Sequence, residues 1–259
     1  MLRTLRYFLI ESTFERGVRA CAREIRQKLT EQRRMVEPIA RFVKDPIYKG
    51  AYRSPDANTL ARLGVLPLVC QAFPKPVTFL NTEFRGRDAA EEMVGTGFVN
   101  ELEVQWIVDA CEEFERGLAR SSAPPPTVSI LCFYRDQARR VRARIAERHR
   151  SFQRLNFRVI DAIDRIQGQE SDLVFISFCR ARSPRRPLSP NFGMWLRDPR
   201  RLNVAFTRAR RALVLVGHRP TLRRLGEHQH FYANLFSLFE AHPNDMQMIE
   251  DFGAKRRRR

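Results

Sequence analysis

Short apolar runs recur along this chain, separated by longer stretches in which apolar positions return every three or four residues. The runs are VTFLNT (77–82), VSILCF (128–133), FRVIDAID (157–164), LVFISF (173–178) and ALVLVG (212–217). Each has the length and the β-branched and aromatic content of a buried strand. Helical spacing covers 5–29, with a break near Gly17, then 100–118, 135–149 and 221–242. Strands alternating with helices predict βαβ units and a parallel sheet, an α/β fold. Between these elements, 51–76 is punctuated by Pro55, Pro67, Pro74 and Pro76, and 85–100 is polar and broken by glycine, which predicts an exposed loop. SSAPPP (121–126) reads as a linker within the domain, and RARSPRRPLSPNFG (180–193) as a Pro- and Arg-rich loop.

The stretch RRLNVAFTRARR (200–211) is amphipathic when wound as a helix. Leu202, Ala205, Phe206 and Ala209 gather on one face, Arg201 and Arg208 share one flank, and Asn203, Thr207 and Arg210 share the other. Guanidinium is always charged and forks onto phosphate, so two arginines on a packed helix suit anionic oxygens. A solvated basic face is the equal alternative. Asn100, three residues before Glu103, reads as an N-cap with its capping-box partner. On the helix 135–149, Arg139, Arg140, Arg142, Arg144 and Arg148 spread around much of the circumference. A solvated helix and one facing nucleic acid are comparable readings of it.

Charge sharpens the picture. The 259 residues hold 47 Lys+Arg against 29 Asp+Glu, a net charge of +18, which points to a polyanionic partner such as nucleic acid. Only five of the basic residues are lysines (Lys28, Lys44, Lys49, Lys75 and Lys255). The five cysteines lack C-x-x-C spacing, which argues against a disulfide framework and a zinc site. No apolar run approaches membrane-spanning length, and the start lacks a signal-type apolar core. The expected location is the cytoplasm, or the nucleus given the Lys255–Arg259 basic run.

Two stretches in order carry a family resemblance. RRLNVAFTRAR (200–210) resembles motif VI of superfamily 1 helicases, and DRIQGQESDLVFIS (164–177) resembles their motif V. The subgroup is that of the regulator-of-nonsense-transcripts and senataxin type. LTEQRRMVEPIARFVKDPIYKG (29–50) is similar to the Gln-Tyr-Arg-Met segment of that subgroup and the helix after it, with Arg33 in place of tyrosine. Tyr134 and Gln137 match the Tyr-x-x-Gln of motif IV. The resemblance implies a RecA-like parallel sheet flanked by helices, a second motor domain of the P-loop NTPase type. It implies 31–245 as that domain, 1–30 as the tail of a first RecA-like domain or a linker helix, and 246–259 as a disordered basic tail.

The same resemblance implies roles. Arg208 and Arg34 would be catalytic arginines on the γ-phosphate of ATP. Gln32, Arg33, Gln167, Gly168, Glu170 and Arg201 would bind nucleotide, with Glu170 on the ribose. Tyr134, Gln137, Arg139, Asp164, Asn203 and Thr207 would contact single-stranded DNA or RNA. The cofactor would be ATP with Mg2+, held mainly by a first RecA-like domain in cis or in trans.

What this sequence lacks bounds the function. None of its five lysines follows a glycine, so it contains no Gly-Lys-Ser/Thr phosphate loop, and it contains no Asp-Glu dipeptide for a magnesium-binding acid and its catalytic neighbour. The expectation is a chain inactive alone as an ATPase. Two functions stay open: the C-terminal motor half of an ATP-dependent helicase, or a non-catalytic basic domain derived from one that binds nucleic acid or a partner.

Overall fold

The computed structural model describes residues 31–48, 52–165, 169–225 and 231–253. The helix expected over 5–29, Gln167, Gly168 and the Lys255–Arg259 run lie outside the described residues. Six parallel strands form one sheet in the order β5-β4-β6-β7-β1-β8. Their ranges are β1 Val77–Asn81, β4 Thr127–Cys132, β5 Asn156–Ala162, β6 Ser171–Ser177, β7 Ala209–Gly217 and β8 Met246–Ile249. The main helices are α1 Glu37–Tyr48, α2 Ala57–Arg62, α3 Glu101–Leu118, α4 Arg135–Glu147, α5 Pro199–Phe206, α6 Arg219–Arg223 and α7 Phe231–Ala241.

The continuous apolar runs have a simple cause: both faces of the sheet are covered. On one face Val174, Ile176, Leu213 and Leu215 meet Ile39 and Phe42 of α1, Phe206 of α5, and Leu235, Phe236 and Phe239 of α7. On the other, Leu173, Phe175, Val214 and Val216 meet Val104, Ile107 and Phe114 of α3 and Val141 of α4. The two-residue period of the strands splits each run evenly between the two cores. The α/β, RecA-like reading of the sequence is the fold observed.

Three local readings change. Residues 85–100 are not a featureless loop. A 3-10 stretch, Glu83–Ala89, leads to an antiparallel hairpin of β2 (Glu92–Val94) and β3 (Gly97–Val99). Gly95, with φ of 60°, makes the reversal, and β2 is exposed along its whole length, so no apolar alternation marked it. The sheet also runs past residue 245: β8 pairs with β1 in parallel, with Met246 opposite Val77 and buried. A four-residue edge strand of Met-Gln-Met-Ile carries too little pattern to be seen beforehand.

The third change concerns the arginine-rich stretch. It is a short helix followed at once by a strand. Asp198 caps α5 by accepting from the Arg200 N–H, and Pro199 occupies the first turn. At the other end the Thr207 hydroxyl donates back to the Asn203 carbonyl at 2.7 Å, and Ala209 already pairs with Ser171 in the sheet. Arg208 therefore sits in the turn between α5 and β7, not on the helix. Ala209 is buried on either reading, which is why helical spacing fitted it.

Candidate functional site

The first cluster forms at the amino ends of β6 and β7. Gln32 bends the chain ahead of α1. Its Oε1 accepts from the N–H groups of Arg34 (2.9 Å) and Met35 (3.0 Å), while its Nε2 donates to the Met35 carbonyl (2.9 Å) and Ser54 Oγ (2.8 Å). The next residue, Val36, donates its N–H to the Arg210 carbonyl at 2.9 Å, which docks the bend beside β7. Arg34 is thereby delivered to the cluster. Its Nε lies 2.6 Å from Glu170 Oε1, and one terminal nitrogen donates to the Thr207 carbonyl at 3.3 Å. From the far side Arg208 donates to the carbonyls of Val204 (3.0 Å) and Gln169 (3.3 Å).

Arg34, Glu170 and Arg208 thus come from three separate segments to one edge. The Arg34 and Glu170 side chains keep 40% and 32% of their surface open, so a ligand can reach them. The Arg34 guanidinium on the Glu170 carboxylate, with Arg208 on the neighbouring Gln169 carbonyl, suits a phosphate with an adjoining hydroxyl, because the cations match the anion and the carboxylate can accept from the hydroxyl. Gln32 uses its amide to hold the bend. Arg33 points outward and pairs with Glu31 at 2.7 Å.

A second cluster lies at the opposite, carboxyl end of the sheet, one α5 length away. Asp164 follows β5 there, and its carboxylate meets the Arg201 guanidinium at 3.0 Å. Arg201 is also 3.9 Å from Asp198 and lies over the Trp195 ring, 4.1 Å from its centroid. Seven residues of helix span about 10 Å, so Arg201 and Arg208 serve different ends of α5. Asn203 is half-buried on the same helix, and Thr207 is buried just past its end.

The motif IV-like residues divide. Arg139 is exposed and pairs with Asp136 at 3.0 Å. Tyr134 is buried, its hydroxyl accepting from Arg180 at 3.2 Å. Gln137 is fully buried. It accepts from the Asn100 N–H (2.8 Å) and donates to the Asn100 carbonyl (3.2 Å) and Ser177 Oγ (2.9 Å). That leaves Gln137 no group to offer a nucleic-acid strand in this conformation; the expected contact is replaced by an internal brace.

Sequence reasoning missed what this brace supports. Asn100 does cap α3, accepting from the Glu103 N–H at 3.1 Å. The Glu103 side chain, however, does not close a capping box. It crosses to the end of β6, where its Oε2 accepts from Ser177 Oγ (2.6 Å) and the Cys179 N–H (2.8 Å). Cys179 holds a left-handed φ of 66° there, and its carbonyl accepts from Asn100 at 3.2 Å. Next to it Arg180 lies between the rings of Phe98 (3.7 Å) and Phe192 (4.0 Å) and pairs with buried Glu91 at 3.2 Å. The Asn-x-x-Glu spacing looked identical to a cap, so only the fold could separate the two roles.

Burial, more than any neighbouring charge, pushes the Glu103 carboxyl up to about 8. A carboxyl raised from its usual value of 4.5 binds its proton more tightly when folded. Stability is then fullest below pH 4.5 for this group, falls as pH rises towards 8, and levels off above it. Between those limits Glu103 should tilt stability by at most about 1.4 kcal/mol per pH unit. Glu103→Gln should flatten that slope and gain on wild type at pH 8.5. Urea midpoints of both proteins at pH 5.5 and 8.5 measure it, and parallel pH dependences would refute the role.

A family model described as an AAA domain (AAA_12) matches residues 9–220, most of the chain. The chain belongs to this family, the C-terminal domain type of superfamily 1 helicases. Among relatives of the AAA_12 domain, the "DNA replication ATP-dependent helicase/nuclease DNA2" of Mus musculus is 29% identical over 180 residues, covering 70% of this chain and 15% of that protein. The "ATP-dependent helicase NAM7" of Saccharomyces cerevisiae is 28% identical over 219 residues, covering 83% of this chain and 21% of its own length. The "Putative helicase MOV-10" of Gallus gallus is 28% identical over 140 residues, covering 51% and 14%. The chain therefore spans a fifth or less, in round terms, of the relatives it matches.

Proposed function

We propose that this AAA_12 domain is the C-terminal motor half of an ATP-dependent nucleic-acid helicase. The carrying observation is the meeting of Arg34, Glu170 and Arg208 at the amino ends of β6 and β7. A basic domain that only bound nucleic acid would not need two arginines and a carboxylate brought together from three segments. ATP with Mg2+ would supply the phosphoryl group to be transferred and a cation to offset its negative charge. Among the described residues no group of three His, Cys, Asp or Glu side chains is placed to hold a metal. The donor set fits the outer half of a nucleotide: Arg208 and Arg34 would hold the terminal phosphate, and Glu170 would accept from a ribose hydroxyl. The phosphate loop belongs to a first RecA-like domain, in cis or in trans.

In this reading Arg208 and Arg34 hold their charges where negative charge grows as the terminal phosphoryl leaves, and the rigid Gln32 bend limits how far Arg34 can drift. The helix α5 joins this edge to Arg201 and Asp164 at the other end of the sheet. We place the nucleic-acid strand there, across Asp164, Arg201 and exposed Arg139 of α4.

Backbone charge should dominate that contact. The full chain should bind a single-stranded 15-mer with log affinity falling linearly against log salt, with a slope of about −0.7 per phosphate neutralised. Titration at 50 and 200 mM salt tests it. Affinity indifferent to salt would remove the strand from this surface.

A further inference from the structure

The structure assigns a nucleobase-stacking platform to Trp195, resting on the nucleic-acid reading above and adding to it a contact with the bases. Trp195 belongs to the short 3-10 turn Met194–Arg197, ahead of α5. Its neighbour Leu196 is fully buried and fixed on both sides. The Leu196 N–H donates to the Gly193 carbonyl at 2.9 Å, and its own carbonyl accepts from the Tyr232 hydroxyl at 2.8 Å. An apolar side chain on so rigid a turn could have been folded inward. Trp195 instead stays 42% exposed, and Met194 beside it 49%.

The Arg201 guanidinium lies against the ring, 4.1 Å from the centroid, and Asp164 holds that guanidinium at 3.0 Å. The indole is therefore oriented before any ligand arrives, which lowers the entropy lost on binding. Next in sequence to Asp164 and Arg201, Arg165 and Arg200 pair with Asp161 (3.9 Å) and Asp198 (3.2 Å) and keep 58% and 52% of their side-chain surfaces open. An exposed aromatic backed by an arginine is an arrangement that takes an unpaired base by its face while the phosphates meet the cation. The occupant is a base of a single strand, of any sequence, because every base has a π-face.

The chain carries its own reporter. Its only other tryptophan, Trp106, is 2% exposed on α3, so a full-length Trp106→Phe chain reads Trp195 alone. The probes are a thymidine 15-mer and an abasic deoxyribose-phosphate oligomer of equal length. The thymidine strand should quench the emission, and the abasic strand should bind without quenching. Trp195→Ala should weaken the thymidine strand about tenfold and leave the abasic strand unchanged, while Trp195→Phe keeps most of the affinity. Circular dichroism checks that the variants fold; should Trp195→Ala fail to fold, the quenching contrast in Trp106→Phe decides. Equal binding of both probes with no quenching would overturn the platform and leave the nucleic-acid reading standing. Binding of neither probe would overturn both.

Discussion

In a completed motor, Arg208→Ala should lower kcat for ATP by about a thousandfold or more, the loss typical of an arginine finger, with nucleotide affinity changed only a few-fold. The split follows from where the charge acts. A guanidinium on the terminal phosphate meets little extra charge in the bound nucleotide and much more as the phosphoryl group leaves. The substitution should leave the scaffold intact. The backbone N–H of Arg208 bonds the Ala205 carbonyl at 3.3 Å whatever the side chain, and its carbonyl accepts from the Ser171 N–H at 3.0 Å. Arg208→Lys should not restore turnover, because an ammonium cannot fork between two oxygens. Steady-state kinetics with a separate nucleotide-binding titration check the split.

Phe206→Ala should cost about 3–5 kcal/mol of folding stability, the range for removing a buried aromatic side chain. Phe206 is fully buried, with its ring 5.1 Å from Phe42 of α1 and stacked at 6.4 Å on Phe231 of α7. It is the point where the helix that follows Arg34 meets the helix that precedes Arg208. A domain of this kind has about 5–15 kcal/mol in all, so the loss is a large share of its stability. Chemical unfolding should show a lower midpoint with an unchanged slope. Phe206→Leu, which keeps most of the volume, should lose far less.

The parts of the fold that could be read beforehand are those whose signal is local and repeated. β1, β4, β6 and β7 are covered on both faces and show as apolar runs. The helix α4 buries one stripe, α3 buries its middle turn all round and only its ends in part, and both show as periodic stretches. The turn at Thr207 had no such signal. Leu202, Ala205, Phe206 and Ala209 satisfy a helix, and the change of period occurs inside the match. The hairpin around Gly95 and the strand β8 are short and partly exposed, so packing against distant segments decides them.

The candidate site divides in the same way. The wording of the stretches holding Arg34, Glu170 and Arg208 pointed to a nucleotide, but their meeting needs β6 and β7 side by side. Arg201 shares a flank with Arg208 on a helical projection, which hides the fact that α5 carries it to the other end of the sheet. Tyr134 and Gln137 matched a pattern by identity, yet burial makes Gln137 an internal brace. Glu91 stood in a segment read as a loop and Trp195 in the short stretch between that of 180–193 and the arginine-rich one, where nothing sequential marks a stacked or paired side chain.

The central claim is that this chain supplies charge to a phosphate loop it does not itself contain. The most direct test measures ATP turnover, with and without single-stranded nucleic acid, for this chain alone, for a P-loop-bearing first RecA-like domain alone, and for the two fused. The account predicts negligible turnover from this chain, little from the first domain, and nucleic-acid-stimulated turnover from the fusion that Arg208→Ala abolishes. Turnover by this chain alone, or a fusion indifferent to Arg208→Ala, would contradict it.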